Sequence, residues 1–149
     1  MSAKSKKIVV TAVAAVATLI LIQAIPYGRN HTNPPVVREP SWDSPATRAL
    51  AKRACFNCHS NETVWPWYFR IAPASWLVQS DVDEGRSHLN FSDWHNGARK
   101  AENPDKIGSE ISEGGMPPIQ YRLVHPEARL TDAEKRQLID GIKATFLRH

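Results

Sequence analysis

Cys55-Phe56-Asn57-Cys58-His59 is the stretch from which the fold is read. It holds both cysteines of a 149-residue chain, and a histidine follows the second directly. C-x-x-C-H is the pattern in which two thiols add to the vinyl groups of haem and the adjacent imidazole reaches the iron. Cys55 and Cys58 are therefore the candidate thioether residues, and His59 the candidate proximal iron ligand, for one covalently bound haem c. Three other readings of the cysteine pair compete. An exported chain closes a disulfide in such a loop. A thioredoxin-like pair expects a βαβ setting, and little here reads as a strand. A structural zinc site takes four ligands, and these three residues lie too close together for the usual pair-plus-pair spacing.

Composition bounds what surrounds the motif. A hydrophobic content of 42% with five tryptophans excludes a disordered chain. A small loop-rich domain is marginally stable, and a buried porphyrin would add apolar core. The formal charge of +4 does not make a nucleic-acid binder. Lys4, Lys6 and Lys7 stand in front of an apolar run, and without them 16 basic residues face 15 acidic ones. No basic patch is left to hold phosphates.

Ile8 to Ile25 run for 18 residues without a charge. As a helix this spans roughly 27 Å, close to the hydrocarbon thickness of a bilayer. The run is long for a cleaved signal, and Gln23-Ala24-Ile25-Pro26 makes a poor cleavage site. Residues 1–25 are thus expected to form a signal anchor, a transmembrane helix; export after cleavage is the alternative. The N-terminal lysines place that end in the cytoplasm. The chain is then a single-pass inner-membrane protein with its remainder facing the periplasm, where haem is attached covalently. Residues 26–43 contain Pro34, Pro35 and Pro40 and read as an extended stalk, with Tyr27 and Arg29 as interfacial anchors. Residues 44–149 form the haem-binding domain.

Working outward from the motif, Ser44-Pro45 opens a helix through Ala54 that runs into Cys55. Residues 60–73 read as an irregular aromatic loop that packs against the porphyrin, with Arg70 a candidate partner for a propionate. Residues 74–84 read as a helix with Trp76, Leu77 and Val78 inward, ended by Gly85. His88-Leu89-Asn90-Phe91 reads as a turn, and Ser92 as the N-cap of a helix through Trp94 and Ala98. Asn103-Pro104 starts a helix with Ile107 and Ile111 on one face, ended by Gly114-Gly115. Residues 119–129 show no period. Thr131 to Glu134 form a capping box opening a helix to about Leu147, expected to pack across the helix before the motif.

Met116 is the only methionine besides the initiator. It stands on a loop stiffened by Pro117 and Pro118, where fixed φ limits where its thioether points. That makes it the candidate distal iron ligand. The plain reading is a buried loop methionine, with His125, His88 or His95 as rival ligands.

In this order the chain resembles the c-type cytochromes, and more narrowly it is similar to the bacterial haem-binding-domain family of small membrane-anchored or exported single-haem proteins. The matching segments are Cys55 to Thr63, Trp65-Pro66-Trp67-Tyr68, Ile71-Ala72-Pro73, Asp81-Val82 with Gly85-Arg86, Leu89-Asn90-Phe91-Ser92 with Trp94, Gly114 with Met116 to Tyr121, and His125-Pro126. The resemblance covers roughly residues 42 to 147. It implies an all-α, cytochrome c-like helical haem domain with long loops behind an N-terminal transmembrane helix. It also implies haem c on Cys55 and Cys58, with His59 proximal and Met116 distal. His/Met ligation changes little between oxidation states and raises the potential, which points to an electron carrier rather than an enzyme. No nucleophile with a base and no supported acid pair is present, so no catalytic residue is assigned. Expected partners are redox proteins of the membrane electron-transfer chain. A haem sensor, a peroxidase-like enzyme with an exchangeable sixth ligand, and an accessory haem subunit of a larger complex are the alternatives.

Overall fold

Local capping sets most of the helices. In the computed structural model, which describes residues 2–95 and 103–148, α1 spans Ala3–Ile22, α2 Pro45–Ala54, α3 Phe56–His59, α4 Ala74–His88, α5 Pro104–Ser112, α6 Ile119–Val124 and α7 Asp132–Phe146. Single 3-10 turns cover Trp67–Arg70 and Pro126–Ala128. Among the described residues there is no strand, only one isolated parallel bridge between Arg38 and Asp93. The chain is all-helical, as its sequence implies. It divides into two units, residues up to 32 with 65–81, and residues 33–64 with 82 onward. Helix α4 contributes to both.

The second unit is built on α2, α5 and α7. Ser44 accepts the Thr47 N–H at α2, Asn103 that of Asp105 at α5, and Thr131 and Glu134 complete a reciprocal capping box at α7. The apolar faces so fixed meet in one core of Leu50, Ala51, Phe56, Leu89, Phe91, Trp94, Ile111, Leu138 and Ile142. Aromatic rings run through it, with Phe56 stacked on Phe91 at 5.5 Å between centroids and Phe91 on Trp94 at 6.1 Å. On the surface Arg48 grips Glu39 with two bonds of 2.6 and 2.7 Å, and Trp42 Nε1 donates to the same carboxylate.

Helix α7 does pack across α2, and Gly141 sets their approach. A Cβ at that position would stand 2.1 Å from Thr47 Oγ1 and 2.6 Å from its Cγ2. Thr47 is buried and β-branched, so it has little freedom to turn away. Gly141→Ala is expected to lower stability by about 1–3 kcal/mol, although alanine is the better helix former. Urea titration of the single variant and of Gly141→Ala with Thr47→Ala tests this; no recovery in the pair would show that Thr47 is not the obstacle.

The first unit holds α1, the residues that follow it, and the aromatic loop. The Gln23 amide donates to Ala72 O at 2.9 Å and accepts the Ala72 N–H at 3.0 Å. Gly28 has φ +73, and a Cβ there would lie 2.3 Å from Ser75 O. Glycine is required on both counts. The His31 ring bonds the carbonyls of Gly28 and Phe69 and stacks on Trp65 at 4.8 Å. Every residue of α1 from Ile8 to Leu21 is exposed, so the helix is long and apolar enough to be a membrane anchor or a signal sequence.

Four expectations change. Helix α4 passes through Gly85 to His88, and its buried positions are Ser75, Val82 and Gly85 rather than Leu77, which is 55% exposed. The reason for a glycine inside a helix lies at the haem motif, below. Residues 33–42 form no helix, as their prolines lead one to expect, but they are not a free stalk. Asn33 donates to Thr63 O, Asn61 to Pro35 O, and the N–H groups of Val37 and Arg38 both reach Ser92 O. Residues 119–129 contain α6, a helix too short for a period to show. Ser92 is buried, with its hydroxyl accepting the Asn61 N–H at 2.9 Å, and the helix expected after it begins at Trp94. Its continuation through Ala98 falls outside the described residues.

Candidate functional site

The haem motif is held by the residue that looks like a spacer. Phe56 is 2% exposed and forms part of the core, which orients the single-turn helix α3. Cys55 ends α2, its N–H on Ala51 O at 2.8 Å, and its carbonyl receives the N–H groups of Cys58 and His59. Cys55 and Cys58 are half-buried and not joined to each other. Burial, with Cys58 beside it, pushes the Cys55 thiol up to about 12.

Residues 60–63 clamp the motif from its other end. Ser60 Oγ donates back to Phe56 O at 2.7 Å, and Thr63 Oγ1 to Asn57 O at 2.8 Å. The Asn57 carbonyl side chain takes the Val64 N–H at 3.0 Å. Arg86 ties these together, donating to Ser60 O, Thr63 Oγ1 and Asn33 Oδ1 at 2.8 to 3.0 Å. Ser60, Asn61 and Thr63 are buried polar residues, and each makes the bonds that burial demands. Sequence reasoning assigned them no role; three small polar residues directly after the motif were the available signal.

His59 is oriented by backbone. Its Nδ1 lies 2.9 Å from Gly85 O and 3.0 Å from Leu89 O. Both partners are carbonyls, so Nδ1 carries the proton and Nε2 keeps its lone pair. Burial pushes the ring below its ordinary pKa, with the two carbonyl bonds opposing, so the imidazole is neutral. Gly85 makes this geometry possible. A Cβ there would meet Cys58 O at 2.6 Å, so only glycine lets α4 press against α3 closely enough. A neutral imidazole with one nitrogen fixed by carbonyls and the other free is the donor that haem iron takes. The residues present fit the group.

A family model described as the haem-binding domain matches residues 17–144. The chain belongs to the haem-binding domain family. No curated protein and no solved structure matches it. The matched range contains the C-x-x-C-H stretch, Cys55 to His59.

The other candidates are placed as follows. Met116 follows α5, its N–H on Glu110 O at 2.9 Å, with 39% of its surface exposed. Just after it, Tyr121 reaches the motif, its hydroxyl accepting from Asn57 Nδ2 at 2.7 Å. His125 stacks on Tyr121 at 4.2 Å and bonds Glu127 through Nδ1 at 2.7 Å. His88 is exposed, 3.9 Å from Glu84, and His95 is exposed beside Arg38. Arg70 is exposed in the first unit. Among the described residues no three His, Cys, Asp or Glu side chains converge as ligands for a bare metal ion.

Proposed function

We propose that the chain is a membrane-tethered monohaem c-type cytochrome that carries electrons on the periplasmic side. In this reading Cys55 and Cys58 hold one haem c by thioether bonds, His59 is its proximal ligand and Met116 its distal ligand. The observation that carries it is His59, half-buried in the C-x-x-C-H motif with Nδ1 fixed by two carbonyls and Nε2 not engaged by them. Bound there, haem supplies a one-electron Fe(III)/Fe(II) couple. The chain's own part is rigidity. Phe56 and the Ser60–Thr63 clamp fix the motif, and Gly85 and Leu89 fix the imidazole, so little rearranges when charge changes. Helix α1 would tether the site in an inner membrane, raising its effective concentration at redox partners of the membrane electron-transfer chain.

The test uses the full chain. Haem is expected to stay on the polypeptide through denaturing electrophoresis and to be lost from Cys55→Ser with Cys58→Ser. The ferric protein is expected to show the weak far-red band of sulfur-bound iron, which Met116→Ala removes. Absence of that band together with ready carbon monoxide binding after reduction would sink the carrier reading through Met116. One observation favours a second reading, with His125 as distal ligand: its Nδ1 is held by Glu127 and its ring rests on Tyr121, which bonds the motif. In that case His125→Ala changes the spectrum and Met116→Ala does not.

A further inference from the structure

The first unit has a feature that haem binding does not use. Of the 15 acidic residues in the chain, only Asp81, the unit's last residue, falls within it. Three of the five tryptophans do. Beyond α1 its cations are Arg29 and Arg70, both exposed. Its loop leaves large apolar side chains in the open: Trp67 is 74% exposed, Leu77 55%, Ile71 48% and Tyr27 48%. An acid-free surface carrying exposed aromatics and arginines matches the composition of a membrane-water interface, where tryptophan and tyrosine lie among headgroups and arginine meets phosphate.

The connection to α1 selects a lipid partner over a protein one. The uncharged part of α1, Ile8 to Ile22, covers roughly 22 Å, most of the hydrocarbon thickness it would cross, with Lys4, Lys6 and Lys7 at the opposite end. Gln23 is its C-cap and so stands at the boundary. Both hydrogen-bonding groups of the Ala72 backbone are bonded to that one side chain. Ala72 neighbours Ile71 in the chain, and Gly28 abuts Ser75 in the first turn of α4. The segment from 67 to 77 is thereby fastened to the end of the helix, at the depth of the headgroups.

We propose that Tyr27, Trp67, Ile71 and Leu77, with Arg29 and Arg70, form a surface that docks into the headgroup layer of the bilayer that α1 spans. The proposal rests on α1 being a membrane span, and its test separates the two. Full-length haem-loaded protein carrying 5-fluorotryptophan is placed in nanodiscs of phosphatidylcholine and phosphatidylglycerol, in the reduced state. Fluorine relaxation by dissolved oxygen, which concentrates in lipid, is compared with relaxation by a water-soluble gadolinium chelate. The Trp67 signal is assigned by its loss in Trp67→Phe. Val16→Trp reports on α1, and Leu147→Trp, at a position 87% exposed in the second unit, reports on water. Trp67 is expected to feel oxygen strongly and the chelate several-fold less than Leu147→Trp does. If Trp67 follows Leu147→Trp while Val16→Trp sits in lipid, α1 spans the membrane and the docking surface is overturned. If Trp67 is shielded from both agents, haem or a protein covers it and the docking surface is likewise overturned. If Val16→Trp is open to the chelate, the membrane span itself fails, and docking with it.

Discussion

Phe56→Ala is expected to remove about 3–5 kcal/mol of folding stability, out of the roughly 5–15 kcal/mol that a domain of this size holds. The ring is 2% exposed and touches Phe91, while the Arg48 guanidinium lies 5.8 Å from its centroid. Truncation would leave a cavity among rings too rigid to collapse into it. The effect should reach the haem motif, because Phe56 is the only member of α3 in the core. Phe56→Leu, which keeps most of the volume, is expected to lose much less. Urea unfolding of the full chain in detergent, followed by circular dichroism, measures both. A loss under about 1 kcal/mol for the alanine variant would mean that the motif is held by residues 60–63 alone.

Gly85→Val should act at the same place from the opposite side. Its first carbon would need to occupy space 2.6 Å from Cys58 O, a backbone atom that cannot swing aside. Helix α4 would move off α3, and stability is expected to fall by about 3 kcal/mol, the upper end for overpacking. The chemical consequence distinguishes this from a general defect. With Gly85 O drawn away, Nδ1 of His59 loses one of its two acceptors, and Nε2 becomes a weaker donor. In the haem-loaded protein the reduction potential should rise, since the oxidised iron depends more on that donation. A destabilised variant with an unchanged potential would show that Leu89 O alone sets the imidazole.

The helix ends were legible because caps are local. Ser44-Pro45, Asn103-Pro104 and the Thr131–Glu134 box each satisfy backbone groups within four residues, and α2, α5 and α7 start where those residues stand. The haem motif was legible for the same reason: its chemistry fixes the spacing. What depends on distant partners was not. Gly85 reads as a helix stop, yet it is an approach site for Cys58, 27 positions earlier. Phe56 occupies a variable place in the motif, and nothing near it in sequence says that Phe91 and Trp42 will surround it. The prolines of residues 34–40 imply a segment without helix, but not that Ser92 and Asn61 would bind it down. Leu77 was assigned inward on hydrophobicity, whereas the small Ser75 takes the buried place beneath Gly28.

The pairing of Gln23 with Ala72 bears on proteolytic processing. Ala72 is 3% exposed, so its backbone groups have no easy recourse to water. A peptidase cutting after Ala24 would carry off their partner and orphan a donor and an acceptor, at about 1–3 kcal/mol each. Gln23 is therefore part of the packing around Ala72. Removing it would loosen the loop that starts α4.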